Sequence, residues 1–131
     1  MNDFRHIDSI PGYPAPHSPY SHAVVANGFV FVSGQIAVRP AGGSLEVVGV
    51  SMQEQTHQAL RNVSAILEAA GSSLERVVKM TVLLARPDLY QEMNEAYAVF
   101  FQGKAPARST VQGARYPEGS LLAIEVITLA A

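Results

Sequence analysis

Residues 121–129 read Leu121-Leu122-Ala123-Ile124-Glu125-Val126-Ile127-Thr128-Leu129, a run with a single charge. Apolar side chains fill both alternating sets of positions, so a strand over this stretch has two apolar faces. Helices can cover one of them. The other needs a second cover, and a chain of 131 residues has little left to supply it. A second subunit is the economical answer, so the stretch predicts a sheet inside an oligomer. Glu125 is the exception within the run. It lies in line with Leu121, Ala123, Ile127 and Leu129, where it is expected to be at least partly buried. A buried charge without a partner costs about 3–5 kcal/mol, so Glu125 should be paired, protonated or functional.

The elements that would surround this strand can be read outward from it. Upstream, Arg108–Gln112 predicts a short strand that opens on an arginine and follows the stiffening Pro106. Before it, Leu89, Met93, Ala96, Tyr97 and Phe100 recur at helical spacing, with Asp88 as the expected N-cap and Gly103 as the expected stop. Val77–Ala85 is rich in β-branched and aliphatic residues and predicts another strand, entered through a single turn at Ser73–Arg76. Ser51 followed by Glu54 forms a capping box. Behind it, Met52, Thr56, Ala59, Leu60, Val63, Ile66, Leu67 and Ala70 mark a long amphipathic helix that Gly71 ends.

Toward the N-terminus, Asn27-Gly28 between His22–Ala26 and Phe29–Ser33 is a strong hairpin signal. Gly34 directly after it predicts a bulge or a close backbone approach. Residues 39–44 read as a loop and Leu45–Val48 as a short strand. Pro11, Pro14, Pro16 and Pro19 make an ordered but irregular loop behind a short edge strand at Arg5–Ser9. The order is hairpin, helix, strand, helix, strand, strand. That predicts one α+β domain over residues 1–131, a mixed sheet with two helices packed on one face.

Composition narrows the function. Net charge is −2 and the nine Lys and Arg residues are scattered, which gives no electrostatic reason to expect nucleic acid. There are no cysteines, so disulfides, thiolate metal sites and cysteine nucleophiles are excluded. His6, His17, His22 and His57 lack zinc-ligand spacing, and no phosphate loop, dinucleotide fingerprint or nucleophile elbow occurs. No cofactor or metal is expected. The N-terminus lacks the apolar core of a signal peptide, and no run approaches membrane-spanning length, so the expectation is a soluble cytoplasmic protein.

Arg108 and Glu125 carry the chemistry that the residues themselves propose. They can form an ion pair that fixes strand register, or an anion-binding arginine beside a general base whose pKa is raised. Tyr20 reads either as a hydrogen-bond donor in the loop or as an interface aromatic. Asn94, beside Tyr90, Tyr97 and Phe101, reads either as a satisfied amide or as a ligand contact. Ser109 and Thr110 place hydroxyls next to Arg108 or serve as ordinary strand residues.

From about Pro19 to Ile127 the sequence resembles the RidA/YjgF family of imine and enamine deaminases, also labelled L-PSP endoribonuclease-like. The resemblance is carried by Ser18-Pro19-Tyr20-Ser21, Ser33-Gly34-Gln35-Ile36, Asn62-Val63 and Val78-Lys79-Met80-Thr81-Val82. Met93-Asn94-Glu95-Ala96-Tyr97 with Phe100-Phe101, Pro106-Ala107-Arg108-Ser109 and Ile124-Glu125-Val126 complete it. It implies a chorismate-mutase-like fold assembled as a homotrimer, with the sheets lining a central barrel, the helices outside and sites in clefts between subunits.

The implied activity is cofactor-independent hydrolysis of small 2-imino or enamine carboxylates to 2-oxo acids and ammonia. Arg108 then matches the arginine that grips the substrate carboxylate, and Glu125 the acid that activates water. Tyr20, Gly34 and Asn94 match positions lining the cleft. Thr110 stands where cysteine is common in the family, with a backbone amide or hydroxyl to offer the carboxylate. His22 stands where glutamine is common. The alternatives are a deaminase for one catabolic enamine of aminoacrylate or aminomuconate type, and a non-catalytic trimer that binds small carboxylates. The ribonuclease of the older label is disfavoured by the charge.

Overall fold

The structure is a computed structural model that describes residues 4–40, 46–113 and 117–130. Strand β1 is Phe4–Ile7, β2 is Ala23–Ala26 and β3 is Phe29–Gln35. Helix α1 is Met52–Ala69, β4 is Val77–Leu84, α2 is Tyr90–Ala98, β5 is Ala107–Gln112 and β6 is Leu122–Leu129. The strands form one six-stranded sheet in the order β1-β2-β3-β6-β4-β5. Only β4 and β5 pair in parallel. A parallel pair needs a crossover, and α2 provides it. The last strand in the chain therefore sits inside the sheet, between β3 and β4.

The hairpin turns at Asn27 (φ 52°) and Gly28 (φ 83°), the two left-handed positions of a type I′ turn. The capping box of α1 is present in full: Ser51 Oγ accepts from the Glu54 amide at 3.0 Å, and the Glu54 carboxylate accepts from the Ser51 amide at 3.1 Å. Gly71 (φ 84°) ends the helix, with the Ser72 amide bonded back to the Leu67 carbonyl at 2.8 Å. The 3₁₀ turn at Leu74–Arg76 leads into β4 as expected.

The second helix departs from expectation at both ends. Asp88 does not cap it. Pro87–Leu89 forms a 3₁₀ turn first, the Asp88 carboxylate accepts from Arg86 Nε at 3.1 Å, and Leu89 is the N-cap without a side-chain bond. Nor does Gly103 end it. Regular helix stops at Ala98, and the Phe100 and Phe101 amides bond three residues back, which tightens the last turn. The expected strand at Leu45–Val48 reduces, among the described residues, to one bridge between Val38 and Val47. Leu45 and residues 41–44 of the preceding loop lie outside the described residues.

Both helices cover one face of the sheet. Val30, Val32, Met80, Val82, Leu122, Ile124 and Val126 meet Leu60, Val63, Ile66, Leu67 and Met93 there, all buried. The opposite face carries Phe31, Thr81, Leu83, Ala123, Glu125, Ile127 and Leu129, and among the described residues no helix packs over it. Phe31 is 44% exposed and Leu129 41%. Among the described residues no helix is long and apolar enough to cross a membrane.

Candidate functional site

The structure sorts the expected site residues into two groups. The first lies where β5 passes α2. Arg108 pairs in register with the buried Met80, so its side chain rises on the helix face of the sheet. Its guanidinium carbon sits 4.8 Å from the centroid of the Tyr97 ring and 5.8 Å from that of Tyr90. Nη2 donates to the Tyr90 hydroxyl at 3.4 Å, and Nη1 approaches Met93 Sδ at 3.9 Å. These contacts place and partly desolvate the cation without neutralising it. Among the described residues Arg108 has no carboxylate partner; the ion pairs there are Arg39–Glu46 and Arg86–Asp88.

Thr110 lies two residues further along the same face of β5, and its Oγ1 is buried without a partner. The Tyr97 hydroxyl is likewise buried and unpaired. Asn94, half-buried one turn after Tyr90, acts on the Tyr90 phenol together with the Arg108 charge, and the two hold it below the ordinary tyrosine value. Burial pushes the Tyr97 phenol up, against the pull of Arg108. A hollow of about 370 Å³ opens beside this group, walled by Leu84, Pro87, Tyr90, Thr110, Val111 and Gln112.

The second group lies at the β3–β6 pair in the middle of the sheet. Between Val32 and Gln35 the register of β3 against β6 slips, so Ser33 and Gly34 both stand opposite Glu125. This is the bulge expected at Gly34, and it brings Gly34 and Glu125 together. A Cβ on Gly34 would meet Ala123 Cβ at 3.8 Å, an ordinary contact, so close approach is not what requires glycine there. Tyr20 and Gly34 line a pocket of about 200 Å³ with Tyr13, His22, Gln35 and Ala123.

The proline-rich loop is held to the sheet by polar bonds. The Tyr13 hydroxyl donates to Gln35 Oε1 at 2.5 Å, and His22 Nε2 donates to the Pro14 carbonyl at 2.8 Å. The Tyr20 hydroxyl lies 3.2 Å from His17 Nδ1, and burial raises its pKa.

Two expectations about Glu125 are corrected. It is exposed in the single chain, on the face of the sheet over which no helix among the described residues packs. Nor does it pair with Arg108. Glu125 is in register with Thr81, and Thr81 with Ser109, so Arg108, one residue from Ser109, points to the opposite face. A two-strand separation adds about 9–10 Å. The intrachain ion pair is thus ruled out by strand parity. Met93, Tyr90 and Tyr97 form the cradle of Arg108, a grouping not foreseen from the sequence. Tyr90, Asn94 and Tyr97 stand four and three residues apart on one stripe of α2, a pattern visible in the sequence, but what that stripe faces depends on the β4–β5 pairing.

A mixed sheet backed by two helices, with Arg108 at one edge and the Glu125 carboxylate on its open face, defines a small α+β protein with two candidate site groups. The endoribonuclease L-PSP family model matches residues 12–130. A RutC family protein of Pyrococcus horikoshii is 45% identical over 87% of this chain and 89% of its own. The 2-iminobutanoate/2-iminopropanoate deaminase of Mus musculus is 42% identical over 95% of this chain and 91% of its own. Among solved structures, Escherichia coli TdcF with bound serine superposes with a TM-score of 0.85 at 37% identity, covering 97% of this chain and 100% of that one. The chain belongs to this L-PSP family, that of the RidA/YjgF proteins.

Proposed function

We propose that the chain is a cofactor-independent deaminase of small 2-imino and enamine carboxylates, acting in clefts between the subunits of a homotrimer. The observation that carries this reading is Arg108. It is a partly desolvated guanidinium held against two tyrosine rings, with no carboxylate partner among the described residues. Its planar fork suits a carboxylate gripped through two bonds. The 2-iminobutanoate/2-iminopropanoate deaminase relatives and the serine in TdcF fit a ligand of that size and charge. Net charge of −2 favours such a small anion over an RNA backbone.

Within one chain Glu125 lies on the wrong face to serve the Arg108 site. A neighbouring subunit solves this. Its Tyr20, Gly34 and Glu125 would close the cleft over Arg108, Asn94 and Thr110, and the open sheet faces would meet as a central barrel. Chemistry then follows from the groups present. An enamine first takes a proton at its β carbon and becomes the imine. Glu125 removes a proton from water as the oxygen bonds to the protonated imine carbon. Glu125 returns that proton to the amine of the carbinolamine, the C–N bond breaks, and the carbinol proton leaves with ammonia as ammonium. A 2-oxo acid remains. Thr110 offers its unpaired hydroxyl to the carboxylate.

A non-catalytic carboxylate-binding trimer is the second reading, favoured by the serine in TdcF, which is an amino acid and not an imine. Generating imino acids in situ with an amino-acid oxidase and trapping them with a competing amine separates the two. The deaminase reading expects the protein to speed their loss and Arg108→Ala to cut kcat/KM by about tenfold to hundredfold, the loss of a charged hydrogen-bonding partner. No acceleration with any of several amino-acid precursors would refute it.

A further inference from the structure

We propose that the Tyr90 phenol is a substrate-binding residue, the second half of a carboxylate clamp with Arg108. The proposal rests on the carboxylate-binding reading of the Arg108 site. Its basis is where the hydroxyl hydrogen must go. Arg108 Nη2 donates to the Tyr90 oxygen at 3.4 Å, and arginine has no acceptor to offer in return. Asn94 acts on the same oxygen in the sense that favours its negative form, as a donor does. With its oxygen turned toward donors, the phenol has one group left to use, its own O–H. Among the described residues no hydrogen bond receives that hydrogen. Tyr90 is 47% exposed, and its ring lines the hollow that Thr110 also lines. An anion on Arg108 would receive the hydrogen, so the phenol relays Arg108's polarisation onto the substrate as a further bond.

The clamp has a consequence in alkali. Among the described residues Arg108 from β5 is the charged group against the Tyr90 ring, Tyr97 from α2 touches the same guanidinium, and Leu84 and Pro87 beside Tyr90 carry no charge. Because the Tyr90 phenol is held below its ordinary value and the Tyr97 phenol above, Tyr90 loses its proton first as pH rises. The phenolate offsets the Arg108 charge and has no hydrogen to give. Carboxylate affinity therefore falls as pH rises through the Tyr90 transition.

The test is calorimetric binding of 2-oxobutanoate, a stable carboxylate with a planar α carbon, to the wild-type protein and to Tyr90→Phe. Phenylalanine keeps the ring over Arg108 and removes only the hydroxyl. The expected result is a Kd about fivefold to tenfold higher for the variant at neutral pH, the loss of one hydrogen bond. The alkaline weakening should be present in the wild type and absent in Tyr90→Phe. In turnover of imino acids the same variant should raise KM and leave kcat within about twofold, since the clamp grips ground and transition states alike. Equal affinities at neutral pH, or an alkaline limb that survives in Tyr90→Phe, would overturn the clamp and leave the deaminase reading intact. No imine hydrolysis by the wild type, with the affinity loss and the missing limb still seen in Tyr90→Phe, would keep the clamp and overturn the deaminase.

Discussion

Arg108 is available to a ligand because its neighbours are aromatic. Two tyrosine rings and a thioether hold the guanidinium in place while leaving its charge uncompensated. Glu125 stands in a different setting, opposite a bulge on an open face, where a proton acceptor can meet water. The roles should separate on mutation. Glu125→Gln keeps size and polarity but cannot accept the proton, so it should lower kcat by about 10²–10⁴. Affinity for 2-oxobutanoate should stay within about threefold. Steady-state kinetics beside calorimetry checks this; a loss of affinity with kcat preserved would make Glu125 a binding group. Both charges were legible in the sequence as functional candidates. Their relation was not, because it turns on which face each side chain takes, and a register shift of one residue inverts that.

Local signals worked where side chain and backbone act within a few residues of each other. Asn27-Gly28 gave its turn and Ser51-x-x-Glu54 its cap, because each satisfies its own backbone groups. Asp88 failed as a cap because Arg86, two residues away, engages its carboxylate, and because Pro87 opens a 3₁₀ turn ahead of the helix. The cap of α1 gives a clean stability test. Ser51→Ala should cost about 1 kcal/mol in denaturant unfolding, the usual value of such a residue. Its partner Glu54 has a lowered pKa, chiefly from the Ser51 and Val50 amides. Its contribution is therefore present above the ordinary value of 4.5 and is lost as pH falls through the lower folded value. The stability gap between wild type and Glu54→Gln should close below that pH; a gap unchanged at pH 3 would show that the carboxylate is not what caps the helix.

At the scale of the molecule, the apolar pattern of β6 was enough to foretell an uncovered sheet face, since helices satisfy only one side of a strand apolar on both. How copies would meet in the proposed trimer was not legible, because complementarity between surfaces far apart in sequence leaves no periodic trace. Phe31, opposite Ile127 on that face, is the residue on which to test the assembly. Phe31→Glu places a charge where the proposed barrel is dry. The expected outcome is a monomer by sedimentation, near-wild-type helical circular dichroism, and deaminase activity lost along with the assembly. A monomer that kept full activity would show that one chain suffices.

Strand parity, which sets Arg108 and Glu125 on opposite sides of the same sheet, also bears on heredity. Two impaired versions of the gene, one encoding Arg108→Ala and the other Glu125→Gln, would damage different halves of each cleft in the proposed trimer. Subunits mixed at random in a ring of three would pair an intact arginine with an intact glutamate in about one quarter of clefts. A cell carrying both defective alleles should therefore recover roughly that share of activity, above the tenth or less that either allele alone is expected to supply.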